Sequence, residues 1–182
     1  MQRKPAWAGV LLAAITLPAS LSAQGVTQSS SLTLTKDQPL HFGSFAVLDH
    51  GSKTVGASGT VANEGLVALG NLHESPAQFT LTWQRGDASL QPVTVLVQLA
   101  FGKAPTVTTG SITAQITAYE TDLGGLATIT PGGGLSYTFA NCASRSCSAT
   151  FRVGARMDIT AAGDGAPLTL ALPITARIMA EY

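Results

Sequence analysis

The dominant hydrophobic period along this chain is two. In AQFTLTW, Ala77, Phe79, Leu81 and Trp83 point one way while Gln78, Thr80 and Thr82 point the other. That is the signature of a strand with one buried and one wet face. The alternation recurs in Val93, Val95, Val97 and Leu99, in Ile112, Ala114, Ile116 and Ala118, and in Phe151, Val153, Ala155 and Met157. Ile174, Ala176, Ile178, Ala180 and Tyr182 carry it to the last residue. No stretch of comparable length carries a helical stripe. Turn signals separate the runs at Asp49–Gly51, Arg85–Asp87, Gly132–Gly134 and Gly163–Gly165. Short strands punctuated in this way bury their apolar faces either between two packed sheets or in a closed barrel. Their uneven spacing favours the sandwich, so the fold expected is all-β and antiparallel. Pro173, lacking an N–H, marks an edge, a bulge, or the point where a strand passes between sheets.

The beginning of the chain has a different character. Arg3 and Lys4 precede an apolar run from Ala6 to Leu17, Pro18 breaks it, and small residues follow, which is the layout of a signal peptide over residues 1–23. Cleavage after Ala23, or after Ser22 as the competing choice, would leave one β domain over residues 24–182 in the periplasm, at the cell surface or outside the cell. The apolar run is well short of the roughly 20 residues that span a bilayer, so no integral membrane segment is expected in the mature chain. Charged residues make up only 11% of the sequence and no Lys/Arg cluster occurs, which argues against nucleic-acid binding. At 45% hydrophobic the chain is also too apolar to be a solvated disordered tail. Export makes a disulfide the expected state of Cys142 and Cys147, closing a small loop between two strands. A metal site is the weaker reading, because two thiolates supply half of a tetrahedral set with no further His or Cys nearby.

The segment SSLTLTKDQPLHFGSFAV at 30–47, followed by SPAQFTLTW at 75–83, resembles the opening of the DUF4402 family of exported bacterial proteins of unassigned function. The resemblance implies an immunoglobulin-like β-sandwich. The LxFG opening is similar to that of spore-coat-protein-U-like and other pilus-type subunits. The matching positions are Leu40, Phe42, Gly43, Pro76, Ala77, Phe79 and the terminal Tyr182. Surface or fimbrial association is what the resemblance implies, and it supplies no catalytic residue. Family members commonly close with a Gly-rich turn before the last strand, whereas this chain reads APLTLALPITARIMAEY, with prolines in that place.

Physically, Phe42 is expected to anchor the first core strand and Gly43 to permit a bulge or close sheet packing. Trp83 shares a face with Phe79 and reads as core, with a ligand platform as the alternative. The run VTQSSSLTLT, carrying Val26, Leu32 and Leu34, is a candidate donor for addition to another protein's sheet edge. Enzyme readings fare poorly: GASG at 56–59 is no nucleophile elbow, and no cofactor motif is present. His41, His50 and His73 are scattered, and only a loop would bring His50, His73 and Glu74 together. The RGD tripeptide at 85–87 reads as a polar hairpin turn. Two functions of different class follow. One is a non-enzymatic structural protein of the bacterial envelope, forming homo-oligomers or joining a fimbrial partner through strand edges. The other is a glycan-binding module with a shallow site around Trp83, the RGD turn and the disulfide loop.

Overall fold

The computed structural model describes residues 29–69, 73–161 and 170–182. The signal segment, Val26 and the Gly163–Gly165 turn lie outside them. Among the described residues the chain forms β1 (Ser31–Gln38), β2 (Phe45–Val55), β3 (Val61–Ala68), β4 (Ala77–Gln84), β5 (Val93–Phe101), β6 (Val107–Thr109), β7 (Ile112–Thr121), β8 (Ala127–Ile129), β9 (Gly134–Cys142), β10 (Ser146–Ala161) and β11 (Ile174–Glu181). The larger sheet runs β1-β4-β10-β2-β3, with β7 also paired to β10 and β6 and β8 paired to β7; the smaller runs β11-β5-β9. Every pairing is antiparallel. The two sheets make a sandwich, as the alternation predicts.

Strand β10 organises the larger sheet. Its first half pairs with β4, from Ser146 opposite Gln84 to Val153 opposite Ala77. Its second half pairs with β2 and β7. Phe151, Val153, Ala155 and Met157 are all buried in the expected alternation. At the hand-over stands Gly154, where a Cβ would lie 2.1 Å from the Val55 carbonyl oxygen and 2.5 Å from the Gly56 carbonyl carbon. Only a residue without a side chain allows the end of β2 to come this close.

The sandwich interior holds Phe79, Leu81, Trp83, Val95, Val97, Leu99 and Phe101. Phe79 stacks on Phe151 at 5.7 Å between ring centroids. Tyr119 is buried and its hydroxyl donates to the Gly102 carbonyl at 3.0 Å, while burial pushes the phenol above its ordinary pKa. A second, smaller cluster of Ile112, Ala114, Met157, Ile159 and Ala161 is covered by Phe42, Phe45, Val47, Leu66 and Leu170.

Four expectations are corrected. Ala118 does not continue the buried row of Ile112, Ala114 and Ile116. A bulge at Thr117, where Arg156 faces Ala118 but Met157 faces Ile116, shifts the face and buries Tyr119 and Thr121 instead. Asp49–Gly51 is not a turn between strands but part of an excursion within β2, since Val47 pairs with Leu66 and Ser52 with Glu64. Tyr182 is 72% exposed. The register slips between Ile178 and Ala180, so the alternation does not carry its ring inward, although its backbone still bonds Thr94 in both directions at 3.0 Å. Phe42 lies between β1 and β2 rather than in a strand, half-buried where the two clusters meet. Pro173 sits immediately before the edge strand β11 and offers its carbonyl to the Gly102 N–H at 2.7 Å.

Gly154→Ala is expected to lower the unfolding free energy by about 1–3 kcal/mol, the range for forced overpacking, measured as a fall in the urea midpoint. An unchanged midpoint would mean that β2 does not close on β10 as described.

Candidate functional site

Three places combine unusual chemistry with exposure or with an open edge. The first is where β1 and β11, the outermost strands of the two sheets on one side, touch without a hydrogen-bonded ladder between them. The inward residues of β11 (Ile174, Ala176, Ile178) and of β1 (Leu32, Leu34) are only half-buried, whereas those of β4 and β5 are sealed almost throughout. At one end of this seam the Trp83 Nε1–H donates to Glu181 Oε1 at 2.8 Å, and the Ser30 hydroxyl donates to the same oxygen. Trp83 is 1% exposed, so it is no ligand platform; its indole ties β4 to β11. Leu32 and Leu34 pair opposite Trp83 and Leu81 in the chain's own sheet. They are therefore engaged at home and cannot belong to a free donor strand.

Arg85 accounts for the RGD turn. Its side chain is 5% exposed and lies beside Trp83, its guanidinium carbon 5.6 Å from the ring. Nη1 and Nη2 donate to the carbonyls of Ser89 and Gln91, both at 2.6 Å, and Nη2 also reaches Cys142 O at 3.2 Å. The tripeptide is thus a folded connection between β4 and β5, with its arginine turned inward. Nearby, the Cys142–Cys147 disulfide joins β9 of the smaller sheet to β10 of the larger.

The second place is Lys53, an inward-facing residue of β2 that is fully buried. Its ammonium donates to Glu74 Oε1 at 2.8 Å and lies 5.5 Å from the centre of the Phe45 ring. That hydrogen bond holds the Glu74 carboxyl below its ordinary pKa, with desolvation pulling the other way as a lesser effect. The ion pair fastens the segment before β4 over the small cluster. A bridge between His41 and Ser75, with both backbone bonds near 3 Å, fastens it a second time. Glu74 is therefore committed to Lys53, and His50 bonds the neighbouring Asp49 at 3.0 Å. The proposed meeting of His50, His73 and Glu74 does not form a metal site: no group of three or more His, Cys, Asp or Glu that could hold an ion occurs among the described residues. Leu40 packs against the main cluster, and Gly43 adopts a left-handed φ of 68°.

The third place is a cleft of about 560 Å³ on the face of the larger sheet that points away from the small cluster. Cross-strand register builds it in rows. Glu64, Ser52, Asp158 and Gln115 stand opposite one another across β3, β2, β10 and β7; His50, Thr160 and Thr113 form the next row across β2, β10 and β7. Gly65 makes the first row possible. Its φ of 66°, with a Cβ position only 2.7 Å from the His50 carbonyl oxygen, accompanies the β2 excursion that turns Glu64 to this face while Leu66 stays on the core side. Arg156 is clamped by two carboxylates, Nη2 to Glu64 Oε2 at 2.9 Å and Nε to Asp158 Oδ1 at 3.2 Å, which together raise its pKa. The Ser52 hydroxyl donates to the same Glu64 oxygen at 3.0 Å. Sequence reading missed this cleft and Lys53 alike. The only signal for either was a polar residue in β2, a strand whose alternation the Asp49–Gly51 excursion breaks.

The described residues form an all-β, two-sheet sandwich with a half-open edge, a fold consistent with a structural or interaction domain. The chain belongs to the DUF4402 family, a domain of unknown function, whose model matches residues 32–167. No curated protein and no solved structure matches it. Among the described residues no helix is long and apolar enough to cross a membrane.

The Glu74 linkage has a definite sign. Because its folded pKa is depressed, the stabilisation is present above the unfolded carboxylate value of about 4.3 and is lost as pH falls through the folded value. Glu74→Gln is expected to be less stable than wild type at neutral pH, since Lys53 loses its partner, and the difference should close on acidification below about pH 4. Urea midpoints of both proteins across this range test it; a gap independent of pH would sink the assignment.

Proposed function

We propose that this protein is a non-enzymatic, exported structural subunit of the bacterial envelope that assembles in a fimbria-like manner, by accepting a β-strand at the seam between β1 and β11. The observation that carries this reading is the unladdered contact of two edge strands whose inward apolar residues stay half-buried along the seam. An added strand would pair its backbone with the outer edge of β11 and set alternate side chains over Leu32, Leu34, Ala176 and Ile178. Such edges invite association unless something covers them.

An immunoglobulin-like assignment supports the same reading. The pairing of β1, β4, β10 and β7 follows the order ABED, and β5 with β11 follows C and F. In that assignment the place of strand G lies beside β11, where no strand pairs among the described residues. Leu32 and Leu34 are part of β1, so a donor drawn from the N-terminal run would lie before Ser31, where Val26 is the large apolar residue.

Light scattering of residues 24–182 over a concentration series, with and without heating in detergent, tests the proposal. Heat-labile oligomers are expected for the native chain, and Ala176→Lys, which sets a charge in the seam, should abolish them with little change in melting temperature. A strict monomer at every concentration overturns self-assembly. Oligomers that survive Ala176→Lys overturn the seam as their site. Removal of residues 24–28 tests the donor: unchanged assembly excludes the Val26 segment.

A further inference from the structure

We infer that the cleft over β2, β10 and β7 is a binding site for a neutral saccharide, independent of the seam. Small-molecule pockets of about 300–1,000 Å³ are usually lined by apolar side chains with a few polar groups. This one, of about 560 Å³, sets two carboxylates, a guanidinium, an amide and several hydroxyls among stretches of apolar surface, which suits a ligand that presents both hydroxyls and C–H faces, as a sugar ring does.

The arrangement of charge selects the ligand class. The single guanidinium, Arg156, is already held by Glu64 and Asp158, so little positive potential remains to draw a phosphate or a sulfate. The same guanidinium, seated between the two carboxylates, opposes a metal cation there. What remains is a set of unused hydrogen-bonding atoms. Glu64 Oε1 and Asp158 Oδ2 accept no protein hydrogen bond among the described residues, and the Gln115 amide and the Thr160 hydroxyl make none. Acceptors alone would suit a cation, and donors alone an anion. Two carboxylate acceptors beside an amide and a hydroxyl that both donate and accept complement vicinal sugar hydroxyls, each of which also does both.

The two carboxylates are pre-set by their surroundings. Asp158 and Gln115 face each other across the β10–β7 ladder, and the clamp on Arg156 orients the carboxylates before any ligand arrives. Behind the cleft, the buried Met157 holds β10 in place. Pre-set polar groups on strands lose less freedom on binding than the same groups on loops.

The experiment is to present the purified chain, residues 24–182, to an array of neutral oligosaccharides and to titrate the strongest hit by calorimetry. The variants are Gln115→Ala and Asp158→Ala, with melting temperatures measured alongside. Gln115 has no side-chain hydrogen-bond partner among the described residues, so its variant tests recognition without a change in folding. Binding in the micromolar to millimolar range is expected, insensitive to added salt and weakened at least about tenfold by either substitution. An array without a neutral binder, a hit that is acidic and lost in salt, or affinity unchanged in both variants would overturn the assignment. Retained affinity in Ala176→Lys is expected, so failure of the seam and failure of the cleft are read separately.

Discussion

Everything in the larger sheet is registered against β10. A strand of 16 residues carries β4 along its first half and β2 and β7 along its second, so its side-chain alternation must hold without a slip from Ser146 to Ala161. A shift of one residue would turn Phe151, Val153, Ala155 and Met157 to solvent and put Arg152 and Arg156 into the interior. The irregularities needed to fit its neighbours are therefore displaced onto them: the bulge falls in β7, and the long excursion falls in β2. Gly154 marks the point of greatest crowding, where β4 gives way to β2.

This division explains why the interior has two clusters of unequal character. Along the first half of β10 the smaller sheet lies across the larger, and the core between them is wholly apolar, with the Trp83 indole finding its acceptor at the margin. Along the second half no strand of the smaller sheet provides the cover among the described residues. Phe45 and Val47 of β2 and Leu66 of β3 do so in part, and connections supply the rest, through Phe42, Leu170 and the segment anchored by Glu74. A connection has few apolar residues to bury, so a charge pair and a backbone bridge hold it down. Replacing such a pair by apolar residues is often neutral, yet removing one member leaves a charge stranded. The pair is thus a fastening whose strength depends on both halves being present.

The strands with clean alternation were readable directly from the chain: β4, β5 and β10 lie where their patterns put them. What was not readable depends on register between distant segments. The bulge at Thr117 is invisible until Met157 is seen opposite Ile116. Tyr182, which completes an alternating row on paper, is stranded outside by the slip near Met179. Strand β3 has no periodicity at all, because most of its side chains are exposed and it is held by backbone pairing to β2. Trp83 was correctly legible as core, but its partner lies 98 residues away in the last strand. The cleft is the extreme case: its rows combine residues from four strands, and no two neighbours in sequence belong to the same row.

The hydrogen bond from Trp83 to Glu181 also gives the molecule an optical property. The sequence holds two tryptophans, Trp7 and Trp83, so any preparation that begins after the leading segment carries a single indole. That indole sits in a dry interior, bonded to a carboxylate on β11, at the end of the seam where Ser30 joins it. Its emission colour and its access to a quencher dissolved in the buffer both report whether the last strand is seated. The chain thus contains its own label-free sensor for the edge on which its assembly is proposed to depend.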